Sequence, residues 1–207
     1  MGKTIIVSNR LPVSLRLKQG QFEFKPSAGG LATGLGSIYK EGENIWIGWP
    51  GNDVENQEQR DDIITELKAL KMAPVFLTKK DIIEFYEGFS NETIWPAFHY
   101  FTQYIKYDQN HWEAYVKVNK IFRDVILEKA GADDTIWVHD YQLLLLPQML
   151  RKKLDHRFPI GFFLHIPFVS YELFRTFPWG KQILNGILGA DLIGFHTYDY
   201  MRHFSSS

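Results

Sequence analysis

Six short runs, "TIIVSN", "NIWIGWPG", "APVFLT", "DTIWVHD", "PIGFFLHIP" and "DLIGFHT", are apolar at nearly every position and not at alternate ones. A strand with one wet face alternates, whereas a strand covered on both faces has no need to. Runs of this kind belong inside a parallel sheet with helices on each side. Helical patterns do lie between them. These are "GGLATGLGSIYKEG", "VENQEQRDDIITELKALK", "KKDIIEFYEGF", "HWEAYVKVNKIFRDVILEKAG", "LLLLPQMLRKKLD" and "YELFRTFPWGKQILNGILGA". In the second, Ile63, Ile64, Leu67 and Leu70 fall at helical spacing. The order βαβαβα specifies an α/β fold with a doubly wound, mostly parallel sheet. "LRLKQGQFEFKPS" alternates on both sides of Gln19-Gly20 and reads as a β-hairpin inserted after the first strand.

The 207 residues, 45% of them hydrophobic, suit one domain over 1–207 with a substantial core. A formal net charge of -1 gives no general attraction to nucleic acid or acidic membranes, so a charged partner must meet a local cluster. Without cysteine there is no disulfide or thiolate metal site. The first residues enter a strand without a basic-then-apolar leader, and no apolar run reaches the length of a membrane span. The expectation is a soluble, cytoplasmic protein. "YDYMRHFSSS" begins a helix that no strand or cap follows, which suggests a longer parent protein.

In an open α/β sheet the ligand crevice lies beyond the carboxyl ends of the strands. The residues there share a character. The first strand ends in Asn9-Arg10, "IWIGW" in Trp49-Pro50-Gly51, "IWVHD" in His139-Asp140-Tyr141, "GFFLH" in His165 and "LIGFH" in His196. A cation, an acid and three histidines at one rim form a functional constellation. Gly29-Gly30 in "PSAGGLATGLG" precedes a helical pattern, where bare backbone N–H groups favour an anion. Read alone, the pair is equally a turn before a weakened helix. "FYEGFSNETIWPAFHY" is rich in rings, and Gly88, Ser90-Asn91 and Pro96 break it up. It reads as an aromatic loop able to wall a sugar pocket, with Tyr86 and Trp95 near its ends. The histidines lack metal-ligand spacing, so no metal site is expected.

With these residues laid out, "VSNRLPV", "SAGGLATGL", "WIGWPG", "YEGFSNETIWPAFHY", "WVHDYQLLLLPQMLR", "IGFFLHIPF" and "ILGADLIGFHTYDYMRHF" resemble the trehalose-6-phosphate synthase family, retaining glycosyltransferases of family 20. Gln142 stands where the family usually has a second histidine, and Val169 where it has a proline. The resemblance implies the Rossmann-like N-terminal domain of a two-domain GT-B fold. The C-terminal nucleotide-sugar domain has no counterpart in this chain. It implies transfer of glucose from a nucleotide sugar, with UDP-glucose as the expected donor, to glucose 6-phosphate. The fragment alone is expected to be inactive, and a homo-oligomer is left open. By the same resemblance Arg10 and Tyr86 hold the acceptor phosphate with Trp95 close by. Trp49 packs on the acceptor sugar, and Asp140 orients the attacking hydroxyl. His165 touches the donor glucose, and Gly29 and Gly30 approach its diphosphate. Asp140 and His165 are the catalytic candidates.

A double-displacement enzyme needs a second carboxylate roughly 5 Å from its partner. Glu172, the nearest in sequence to Asp140, sits in a helical pattern. The family reading is a same-face displacement in which the leaving diphosphate takes the acceptor proton, with no cofactor and no metal required. Two alternatives remain: a hydrolase or phosphorylase in the same crevice, and a non-catalytic sugar-phosphate-binding regulatory domain.

Overall fold

The computed structural model describes residues 2–18, 21–26, 30–36, 39, 43–154 and 158–207. Six parallel strands form its sheet: β1 (Thr4–Arg10), β4 (Ile45–Trp49), β5 (Met72–Pro74), β6 (Thr135–His139), β7 (Ile160–Leu164) and β8 (Leu192–Phe195). Their order is β5-β4-β1-β6-β7-β8. The chain winds outward from β1 to β5, crosses back to β6 and winds outward again. The order therefore reverses between β1 and β6, and a ligand crevice belongs at that point. β2 (Val13–Lys18) and β3 (Gln21–Pro26) pair antiparallel as a separate two-stranded sheet, as the alternating pattern predicts. The Gln19-Gly20 turn lies outside the described residues.

β1 shows why these strands are apolar throughout. Ile5 and Val7 enter a core on one face with Ile47, Val138 and Phe162. Ile6 enters a second core on the other face with Leu11, Trp46, Ile63 and Leu67. All three β1 side chains are fully buried. Among the described residues no helix is long and apolar enough to cross a membrane.

Several helices differ from the pattern reading. Gln57–Ala69, capped where Asn56 Oδ1 accepts from the Gln59 N–H at 3.1 Å, buries Ile63 and Leu67 but leaves Ile64 and Leu70 exposed. Its buried stripe is narrower than the hydrophobic spacing suggests. "YELFRTFPWGKQILNGILGA" divides into Tyr171–Phe174 and Gly180–Ile187. Pro178 lies between the two, and the residue before a proline is pushed out of helical geometry. "LLLLPQMLRKKLD" opens on the last residue of a 3₁₀ turn, Tyr141–Leu143, and is α-helical only over Leu146–Arg151.

The stretch read as an aromatic loop is helical. A short helix Lys79–Asp81 runs into a π-helical segment Ile82–Ile94, and Trp95–Phe98 continues it. Thr78 starts it with a capping box: its Oγ1 accepts from the Asp81 N–H at 3.1 Å, and its own N–H donates to Asp81 Oδ2 at 3.2 Å. The supposed breakers are accommodated by packing. Gly88 presses against the His111 ring, so a side chain would collide there. Ser90 and Thr93 are fully buried, and Pro96 stands at the junction where the five-residue hydrogen-bond register of the π-helical segment gives way to the four-residue one.

Candidate functional site

The β1–β4 ladder runs in register from Ile5–Ile45 to Val7–Ile47 and then slips, so that Arg10 pairs with Trp49. Three steps along β1 meet two along β4. An extra residue of this kind bends the strand and re-aims the side chain that follows. Gly48 makes room: a Cβ there would lie 2.8 Å from the Ser8 carbonyl oxygen and 2.9 Å from the Leu11 nitrogen. The exit is pinned by the Leu11 N–H donating to Trp49 O at 2.9 Å, and by Ser8 Oγ donating to Arg10 O at 2.7 Å. Ser8 Oγ in turn accepts from Trp46 Nε1–H at 2.7 Å.

The Arg10 guanidinium is thereby laid over the Trp49 ring, Cζ 4.6 Å from its centroid. Tyr86, from the π-helical segment, comes within 6.3 Å of the same ring. Gly51, at φ 103°, passes so close that a Cβ would overlap the guanidinium. Arg10 is exposed, and no carboxylate pairs with it among the described residues. Its planar fork is available to an anion from solvent.

Asp140 follows β6 in a conformation that side chains rarely adopt, φ 78° and ψ 170°. Such a geometry costs about 1–3 kcal/mol and persists only where its surroundings over-determine it. Here they do. The Asp140 N–H donates to Phe163 O at 2.8 Å. Tyr115 Oη donates to Tyr141 O at 2.7 Å and accepts from the Leu144 N–H at 3.0 Å. Asn119 Nδ2 donates to Gln142 O at 3.1 Å, and Tyr141 Oη donates to Asn91 Oδ1 at 3.0 Å. Tyr115 and Asn119 are fully buried on the helix Gln109–Lys129. Tyr115→Phe strips two backbone groups of their partner. Chemical denaturation should show a loss of about 1–2 kcal/mol.

The Asp140 carboxylate accepts from the backbone N–H groups of Tyr141 (2.9 Å) and His165 (3.2 Å). Burial outweighs these bonds and pushes its pKa up to about 6. The group is still mostly ionised at pH 7 and is a strong acceptor of hydroxyl hydrogens. Tyr141 links it to the Arg10 group: its hydroxyl pKa is raised by burial and by the nearby Asp140 and Tyr86.

Next to Asp140 opens a cleft of about 620 Å³, with Gly30 and Leu35 on one wall and His139, Asp140, His165 and His196 on the other. Gly30 opens the helix Gly30–Gly34, and a Cβ there would meet nothing within 4 Å, so space alone does not demand glycine. Gly29 lies outside the described residues. Trp95 is placed differently. It stacks on His99 at 4.1 Å and on Phe101 at 6.1 Å, lining a separate hollow of about 430 Å³ with Glu92 and Lys106. No cluster of three or more His, Asp or Glu among the described residues could hold a metal ion.

The structure thus unites Arg10, Trp49 and Tyr86 in one group, and Asp140, His165 and Gly30 in an adjoining one. It also adds residues with no signature in sequence. Tyr115 and Asn119, both buried, and Asn91, which is exposed, act on the Asp140 turn from distant positions, and only their hydrogen bonds reveal them. His139 and His196 were visible at strand ends, but their packing against His165 was not.

The comparisons now bear on this geometry. The family model described as "Glycosyltransferase family 20" matches residues 2–207. Among curated relatives, an alpha,alpha-trehalose-phosphate synthase (UDP-forming) of Candida albicans is 46% identical over all of this chain and 44% of its own length. One from Dictyostelium discoideum is 47% identical over all of this chain and 28% of its own length. The chain thus spans less than half of either relative. An E. coli protein solved bound with UDP-2-fluoro glucose superposes with a TM-score of 0.79 at 31% identity, over 99% of this chain and 42% of that one. A synthase of Burkholderia xenovorans in complex with glucose-6-phosphate gives 0.79 at 33% identity, over 99% and 42%. The architecture matches the Rossmann-like N-terminal domain of these GT-B proteins. The chain belongs to glycosyltransferase family 20.

Proposed function

We propose that this chain forms the acceptor-binding half of an alpha,alpha-trehalose-phosphate synthase that moves glucose from UDP-glucose to glucose 6-phosphate with retention. The observation that carries this is the Arg10 guanidinium over Trp49 beside Tyr86, joined through Tyr141 to the Asp140 carboxylate. Arg10 and Tyr86 bind the phosphate, Trp49 supports the sugar face, and Asp140 receives the acceptor hydroxyls. His165, on the cleft wall, faces the donor glucose, and Gly29 and Gly30 approach the diphosphate. Trp95 joins this set at its margin, from its own hollow. The relatives named above support UDP as the leaving group and glucose 6-phosphate as the acceptor.

On this reading the attacking hydroxyl approaches the face the diphosphate leaves, and the diphosphate takes its proton. Asp140 positions the hydroxyl and is not a nucleophile. Orientation of two bound reactants can supply about 7–11 kcal/mol in favourable cases, and a preorganised polar wall holds the oxocarbenium-like state. The proposed route needs no metal. The remaining length of the relatives supplies the nucleotide side, so this chain by itself binds acceptor and turns over little or nothing. A cytoplasmic location goes with this reading.

Calorimetric titration tests it. Glucose 6-phosphate should bind this chain clearly more tightly than glucose, and mixing with UDP-glucose should yield no disaccharide phosphate. Equal affinity for the two sugars would end the acceptor reading. A non-catalytic sugar-phosphate-binding role predicts the same titration and parts from this proposal only when the whole protein is assayed for transfer.

A further inference from the structure

His139 is 1% exposed, and only one of its ring nitrogens has a partner. Nδ1 lies 3.0 Å from Nε2 of His165, while Nε2 is sealed from solvent and meets no partner among the described residues. The ring is held by Trp137, 4.6 Å away between centroids, and by its place at the end of β6. Nδ1 of His165 makes no hydrogen bond among the described residues, and His165 lines the cleft. Burial, together with His165 beside it, pushes His139 down to about 3. Burial and His196 push His165 down to about 4. Both rings are neutral near pH 7 and carry one proton each.

Two neutral rings sharing one hydrogen bond have two arrangements. If His165 donates from Nε2, then His139 must carry its own proton on Nε2, as a buried N–H with no acceptor. If His139 donates from Nδ1, its Nε2 is left as a bare lone pair. Orphaned buried N–H groups are the rarer case in folded proteins, and an unmet acceptor is better tolerated.

We infer that His139 is a positioning residue that fixes the tautomer of His165, holding its proton on Nδ1 and turning that N–H toward the cleft. The consequence for catalysis rests on the transferase reading. His165 then gives a hydrogen bond to an oxygen of the bound sugar or diphosphate and has no free nitrogen with which to take a proton from the acceptor. A base role for His165 is closed, which agrees with the leaving diphosphate as proton acceptor.

Long-range proton–nitrogen NMR spectra of the isotope-labelled chain, recorded without ligand near neutral pH, report which nitrogen of each imidazole is protonated. Free histidine favours Nε2, so protonation of His165 on Nδ1 would need a cause. We expect His139 and His165 both protonated on Nδ1. In His139→Phe, which keeps a ring without the donor, His165 should revert to Nε2. In His139→Asn, whose amide can place an N–H near the lost Nδ1, His165 should stay protonated on Nδ1. His165 protonated on Nε2 in the unsubstituted chain overturns the inference, whether or not the Phe variant folds. An unchanged tautomer in a folded His139→Phe protein overturns it as well. No sugar is present in these spectra, so either failure leaves the transferase reading to the titration.

Discussion

Replacing Arg10 by alanine is expected to weaken glucose 6-phosphate binding about 10- to 150-fold while leaving the fold intact. A charge-assisted hydrogen bond contributes about 1.5–3 kcal/mol, which is that range of affinity. The side chain is exposed and packs over Trp49 and against Gly51, so its removal leaves no buried group unpaired. Binding of unphosphorylated glucose should hardly change, and this separates a phosphate contact from general damage to the site. Arg10→Lys should recover only part of the loss, because an ammonium cannot offer two parallel donors to one phosphate. Gly51→Ala supplies an independent check. It forces a Cβ into the guanidinium and into a backbone at φ 103°. It should mimic the loss of affinity with Arg10 still present. Unchanged affinity in Arg10→Ala would remove the residue from the phosphate site.

Asp140→Asn should make the protein more stable and less able to hold its acceptor. In the folded state the carboxyl is raised by burial to about 6 from an ordinary value of 3.8. Below about pH 3 it is protonated in both folded and unfolded chains and carries no penalty. As pH rises toward 6 the unfolded chain releases the proton more readily, and the folded state loses stability. The gap between the two values corresponds to at most about 3 kcal/mol. The asparagine variant lacks this liability and can still accept the N–H groups of Tyr141 and His165. Denaturation curves should coincide near pH 3 and part by about 1–3 kcal/mol above pH 6, with the variant the more stable. A difference that does not change with pH would mean the carboxylate is not strained by burial. Acceptor affinity should fall at the same time, since the charged hydrogen-bond acceptor is gone.

Much of this site could be read from the chain because it sits where strands stop. β-branched and aromatic runs fix strand position, and the first polar residues after them fall at the crevice by topology. Arg10, Trp49, Asp140 and His165 were all accessible by that route. The π-helical segment was not. Gly88, Ser90-Asn91 and Pro96 weaken a helix considered alone, but tertiary packing overrides propensity when a glycine is needed for close approach to His111. Trp95 is carried on this helix for the same reason, and there it lines a hollow of its own. The bulge between Val7 and Arg10 is equally silent, because the apolar run Ile5-Ile6-Val7 ends before it begins. The Tyr115–Asn119 clamp lies more than twenty residues before the turn it holds. Local pattern carries no information across that gap.

The wide winding of Ile82–Ile94 has a last consequence. In that register the Trp95 N–H reaches back five residues to the Ser90 carbonyl, so side chains five apart stand above one another. Tyr86 and Asn91 are such a pair, one toward Trp49 and the other toward Tyr141. In an ordinary α-helix they would diverge by about 140°. Loss of a single residue, which would let the coil tighten, would turn one of the two away from its partner, Trp49 or Tyr141. The length of this segment therefore matters alongside the identity of its residues.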